Sequence, residues 1–85
     1  MKTFHYTIQD TIGIHARPAG MLVTEAKKFA SQIILECNGK KAEATKLMML
    51  MMLGVKQGSE ISISVAGPDE EAAAAAMETF FKNNL

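Results

Sequence analysis

Apolar and polar residues alternate along this chain with two different periods. Phe4, Tyr6 and Ile8 are separated by Thr3, His5, Thr7 and Gln9, the two-residue repeat of a strand with one buried face. His5 falls on the polar side and reads as an exposed strand residue. From Ala16 the period lengthens. Ala19, Leu22, Val23, Ala26, Phe29 and Ala30 recur at helical spacing and leave Arg17, Gly20, Met21, Thr24, Lys27 and Lys28 toward the outside of a first helix. Gln32 to Cys37 predicts a second strand, and Asn38-Gly39 is a hairpin signal leading into a short third strand from Lys40 to about Ala44. The stretch Thr45 to Gly54 predicts a short helix that starts near Thr45 or Lys46 and stops at Gly54. Ile61, Ile63 and Val65 alternate with Glu60, Ser62 and Ser64 as a fourth strand. After Gly67-Pro68, Asp69 is the expected N-cap of a last helix, with Glu70 and Glu71 in its first turn and Ala73, Met77, Phe80 and Phe81 on its apolar face.

The predicted order is β-α-β-β-α-β-α. A right-handed crossover makes the first two strands run the same way on either side of a gap, and the fourth strand fills that gap antiparallel to both. The expected fold class is therefore α+β: an open-faced β-sandwich, with a four-stranded antiparallel sheet carrying three helices on one face. With 85 residues, 48% of them hydrophobic, the chain supports one domain with one modest core.

The formal net charge is zero, which argues against nucleic acid as a partner, because binding a phosphate backbone needs a basic surface. The charges are nevertheless segregated. Arg17, Lys27, Lys28, Lys40, Lys41 and Lys46 lie in the first two-thirds, and Asp69, Glu70, Glu71 and Glu78 in the last segment. A basic face of this kind steers acidic protein partners. Cys37 is the one cysteine, so no disulfide forms within the chain, and it reads as a small buried hydrophobe. Two histidines in all give no zinc-type ligand cluster; neither a metal nor a cofactor is expected. The first residues mix polar and apolar types instead of forming a basic stretch and an apolar run, so a cytoplasmic location is expected.

The run Leu47-Met48-Met49-Leu50-Met51-Met52-Leu53 is apolar on nearly every side, and so small a domain cannot bury all of it. It is too short to span a membrane, which takes about 20 apolar residues. Docking of protein partners explains it better, because flexible, polarizable methionine adapts to unlike surfaces.

The chemistry concentrates in Gly13-Ile14-His15-Ala16-Arg17-Pro18-Ala19. Proline is tolerated in the first turn of a helix, so a helix begins just before Pro18, with His15 or Ala16 as its N-cap. No Ser, Thr, Asp or Asn stands between Gly13 and Ala19 to accept the orphan amides. An uncapped N-terminus at the positive end of the helix dipole suits an anion, and Arg17 adds a planar donor fork that fits phosphate. The backbone amides of Ala16 and Arg17 are the expected phosphate-binding groups. His15 stands beside this site. A neutral imidazole has a ring nitrogen lone pair available as a nucleophile, which at this place points to covalent phosphohistidine chemistry.

Together with Asn38-Gly39-Lys40, Leu53-Gly54 with Gly58, and Val65-Ala66-Gly67 leading through Asp69-Glu70 into the last helix, this run resembles HPr. HPr is the histidine-containing phosphocarrier family of the bacterial sugar phosphotransferase system, and the resemblance covers nearly the whole chain. It implies the strand order 1-4-2-3. It implies that His15 takes a phosphoryl group on Nδ1 from phospho-enzyme I and passes it to IIA domains of sugar transporters, with Arg17 as its partner. It implies a stoichiometric carrier rather than an enzyme, acting as a monomer without membrane insertion. Gly20, Met21, Thr24 and Lys27 on the first helix, and Leu47, Met48 and Met51 on the second, are the expected docking residues.

One position departs from the family. Many Gram-positive HPr proteins carry a regulatory serine at the start of the second helix, where this chain has Lys46, so no regulatory phosphorylation is expected there. The neighbouring Thr45 reads as an N-cap. Two other functions stay open beside the carrier: a regulatory paralogue signalling through His15 phosphorylation, and a module that binds an anion or protein without covalent chemistry.

Overall fold

The computed structural model describes residues 1–85. Its elements are β1 (Lys2–Thr7), α1 (Ala16–Ala26), β2 (Gln32–Cys37), β3 (Lys40–Glu43), α2 (Leu47–Met52), β4 (Glu60–Ala66) and α3 (Glu70–Asn84). The four strands form one sheet in the order β1-β4-β2-β3, with every neighbouring pair antiparallel. The alternation sorts the faces as expected. Ile33, Leu35 and Cys37 of β2 and Ile61, Ile63 and Val65 of β4 are buried beneath the helices, whereas Ser62 and Ser64 stay on the open face. There the His5 ring lies 2.9 Å from the Ser62 hydroxyl across the β1–β4 pair. Phe81 of α3 anchors the core edge-on to Phe4, Tyr6 and Phe80, with ring centroids 5.6–6.4 Å apart.

The Asn38-Gly39 hairpin forms as its dipeptide dictates, with φ of +54° and +79°. Three local expectations are corrected. First, α1 ends at Ala26 with Lys27 as C-cap, although the apolar period runs on to Phe29 and Ala30. Phe29 still packs against the core, but the Ala30 and Ser31 amides each donate to the Asp69 carboxylate at 2.9 Å, which turns the chain out of helical geometry.

Second, Asp69 occupies the N-cap position of α3 but makes no side-chain cap to its own helix. Its carboxylate instead accepts the Ser31 hydroxyl as well as those two amides, tying the β4–α3 turn to the α1–β2 turn. Gly67 permits this approach, since a Cβ there would lie 2.6 Å from Ser31 Cα. The Ser31 hydroxyl first, and then the Ala30 amide, hold the Asp69 carboxyl below its usual range.

Third, the N-cap of α2 is Lys46 in an extended conformation with no side-chain cap, and Thr45 lies one residue outside the helix. Gly54, with φ of +70°, ends α2 as expected. Leu50 and Leu53 enter the core, while Leu47, Met48, Met49, Met51 and Met52 are exposed.

Candidate functional site

His15 is the N-cap of α1. Its backbone is extended, with φ −126° and ψ −176°, and its side chain makes no cap hydrogen bond. The His15 carbonyl accepts the Ala19 amide at 3.0 Å, the first bond of the helix. Pro18, in the first turn, has no amide to satisfy. The amides of Ala16 and Arg17 donate to no other group of the protein, so two donors at the positive helix end lie beside the imidazole. Arg17 is exposed and forms no ion pair, which leaves its guanidinium available to an anion at the same helix end.

The segment before α1 is fixed by short-range bonds and one close approach. Asp10 folds an Asx turn, with its side chain accepting the Ile12 amide at 2.8 Å and its carbonyl the Gly13 amide at 3.2 Å. Gly13 has φ +82° and rests on the backbone after α2, where an added Cβ would meet the Val55 carbonyl oxygen at 2.3 Å. Ile14 is buried next to it. His15 is thus held at the surface between a buried anchor and the first helical turn.

His15, Arg17 and Met21 of α1 line one shallow depression together with Asp10 and with Asn83 and Asn84 at the end of α3. A Leu85 oxygen accepts the Gln9 and Asp10 amides at 2.6 and 2.8 Å, and Asn84 donates to the Phe80 carbonyl at 3.0 Å. The two bonds to Leu85 dock the end of α3 against the loop that leads to His15, while the Asn84 bond stays within α3. Sequence reading missed Asp10, Asn83 and Asn84. The D-x-x-G spacing of Asp10 and Gly13 carries a turn signal for the first, but nothing local marks the two asparagines.

The expected docking residues occupy two adjoining helices. Gly20 has open space around its Cα. The Thr24 hydroxyl turns back to its own helix, donating to the Gly20 carbonyl at 3.1 Å. Lys27, exposed at the C-cap of α1, and Lys46, exposed at the N-cap of α2, have no acidic partner. α2 packs beside α1 and presents Leu47, Met48 and Met51 outward, together with Met49 and Met52.

Residues 2–83 match the family model described as PTS HPr component phosphorylation site. Among solved structures, the chain is similar to HPr-C-His from Thermoanaerobacter tengcongensis, with 41% identity over 98% of this chain and 93% of that one and a TM-score of 0.92. It is similar to a Mycoplasma histidine-containing phosphocarrier protein, with 35% identity over 96% of this chain and 93% of that one and a TM-score of 0.93. Crh, a catabolite repression protein of Bacillus subtilis described as a swapped dimer, shares 34% identity over 94% of this chain and 92% of that one, with a TM-score of 0.79. No helix of the chain is long and apolar enough to cross a membrane. Sheet order, helix placement and the family match across nearly the whole sequence agree, and the chain belongs to the HPr family of the phosphotransferase system.

Proposed function

We propose that this chain carries phosphoryl groups on His15, receiving them from phospho-enzyme I and delivering them to IIA domains of sugar transporters. The observation that carries the reading is the placement of His15 as the N-cap of α1, beside the unpartnered amides of Ala16 and Arg17. The neutral imidazole attacks phosphorus through the Nδ1 lone pair. The new N–P bond forms as the donor's P–N bond breaks, and the donor histidine leaves with that electron pair. Charge on the transferring oxygens falls where the two amides and the Arg17 guanidinium can stabilise it, so positioning and electrostatics carry this chain's share of the reaction. The phosphoryl group leaves by the reverse geometry, and the chain acts as a stoichiometric carrier with no small-molecule turnover.

Docking falls to the outward residues Gly20, Met21, Thr24 and Lys27 of α1 and Leu47, Met48 and Met51 of α2, with the exposed lysines steering acidic partners. The working form in this reading is a cytoplasmic monomer of one domain, and sedimentation of the free protein tests its oligomeric state. Incubation with enzyme I and phosphoenolpyruvate should add one phosphoryl group, acid-labile and located at His15 by peptide mass spectrometry. His15→Ala should abolish the transfer. Phosphate on His5, or transfer persisting in the variant, overturns the assignment. The likeness to Crh favours a second reading, a regulator of the same fold, which in this chain would signal through phosphorylated His15. Delivery of phosphate from the phosphorylated chain to a IIA domain selects the carrier; failure of that delivery, after loading by enzyme I, selects the regulator.

A further inference from the structure

Burial divides α2 and its C-cap largely along chemical lines, with Leu47 at the start of the helix the one exposed leucine. The core-facing positions Leu50, within α2, and Leu53, its C-cap, are leucine and are 0% and 3% exposed. The methionines stand outside, with Met48 and Met52 at 69% and 71% exposure and Met49 and Met51 at 41% and 42%. Met48 and Met52 are four residues apart and therefore share the outward crest of the helix. By contrast Met77 of α3 is 0% exposed in the core. Four of the six exposed methionines thus cluster on the surface of one helix, the others being Met1 and Met21, and the side chains that hold this helix to the fold cannot be oxidised in the same way.

We propose that Met48 and Met52 are sites of reversible two-electron oxidation by a peroxide, and that their sulfoxides block partner docking while the fold stays intact. The thioether sulfur attacks one peroxide oxygen, forming the S–O bond as the O–O bond breaks. The other oxygen leaves as hydroxide and takes up the proton, so that methionine sulfoxide and water are the products. A thiol-dependent sulfoxide reductase reverses the change, taking the oxygen away as water while two thiols become a disulfide. Oxidation replaces an adaptable apolar side chain with a polar, chiral one, which spoils an apolar interface. Because Leu50 and Leu53 keep α2 anchored, the loss is confined to the outer surface. The docking consequence rests on the carrier reading; the modification sites rest on exposure and chemistry alone.

The test treats the whole protein with hydrogen peroxide and follows each methionine by peptide mass spectrometry, alongside thermal unfolding and affinity for enzyme I. Met48 and Met52 should be oxidised several-fold faster than Met77, the melting curve should stay cooperative, and affinity should fall by about tenfold or more. Methionine sulfoxide reductase should restore it. In Met48→Leu/Met52→Leu, compared with its own untreated form, a peroxide dose that peptide mass spectrometry shows to spare Met21, Met49 and Met51 should change affinity by less than about twofold. Oxidation of Met77 in step with the two crest residues overturns the modification sites. Unchanged affinity after their oxidation, or an equal fall in the double variant, overturns the docking switch. Untreated protein that neither binds enzyme I nor accepts phosphate refutes the carrier reading and the docking consequence with it, while the order of oxidation still judges the sites by themselves.

Discussion

Replacing Gly13 with alanine should damage both stability and the site, and the structure sets the size of the effect. Two costs combine. Gly13 has φ +82°, a region that costs an L-residue about 1–2 kcal/mol. The new Cβ would also sit 2.3 Å from the Val55 carbonyl oxygen and 2.8 Å from Lys56 Cα, both backbone atoms that no rotamer change can move aside. Relieving that overlap means shifting the loop after α2 or the entry to α1, and overpacking of this kind costs about 1–3 kcal/mol. The narrower unfolded ensemble of alanine returns about 0.4–1 kcal/mol. The net loss is about 2–4 kcal/mol, which in a domain of this size lowers Tm by roughly 10–25 °C. Gly20→Ala is the control. Gly20 lies within α1, and a Cβ added there would meet nothing within 4 Å, so alanine should raise stability by about 0.5–1 kcal/mol. Urea unfolding of the two variants and the parent measures both effects, and phosphate loading by enzyme I at a temperature where Gly13→Ala is still folded should be slowed by displacement of His15. Equal stability of Gly13→Ala and the parent would refute the close-approach argument, and a loss in Gly20→Ala would refute the reading of its open surroundings.

Met48→Ala should weaken binding to a partner by about 1–2 kcal/mol while shifting folding stability by no more than about 0.5 kcal/mol, because the side chain is exposed; a large stability loss with intact affinity refutes its place on the docking surface. Arg17→Lys keeps the charge but loses the planar fork, so phosphoryl transfer should slow with binding to enzyme I less affected, and an unchanged transfer rate in rapid-quench measurements makes Arg17 a bystander. The Asp69 carboxyl is held below its ordinary 3.8 by the Ser31 hydroxyl and then the Ala30 amide. Its folded value is thus the lower one, so its stabilisation is complete above about pH 5 and is lost as pH falls through the folded value. Asp69→Asn should flatten the dependence of Tm on pH between about 2 and 5, and a slope equal to that of the parent contradicts the proposed anchoring.

The alternation of Phe4, Tyr6 and Ile8, the Asn38-Gly39 turn and the Pro18 boundary placed β1, the hairpin and the start of α1, because each depends on residues within one or two turns of chain. His15 at an uncapped helix end was legible for the same reason: capping is decided by a few adjacent residues, and none of them offers a side-chain acceptor. The surplus of apolar residues in α2 likewise foretold an exposed face, although not that Leu50 and Leu53 would be the buried pair.

Other features depended on segments far apart in sequence. α1 ends four residues before its apolar pattern does because Asp69, 39 positions beyond Ala30, takes the amides of the turn. Local rules assigned that carboxylate to its own helix, and tertiary packing offered it the buried Ser31 hydroxyl and two amides instead. Asn83 and Asn84 reach the depression around His15 only because Phe81 seats α3 on β1 and the Leu85 carbonyl closes onto Gln9 and Asp10. Periodicity and capping are short-range, so the sequence alone determined the elements and the histidine at a helix end. Which polar group meets which across the fold follows from how those elements pack, and only the tertiary structure decided the walls of the site.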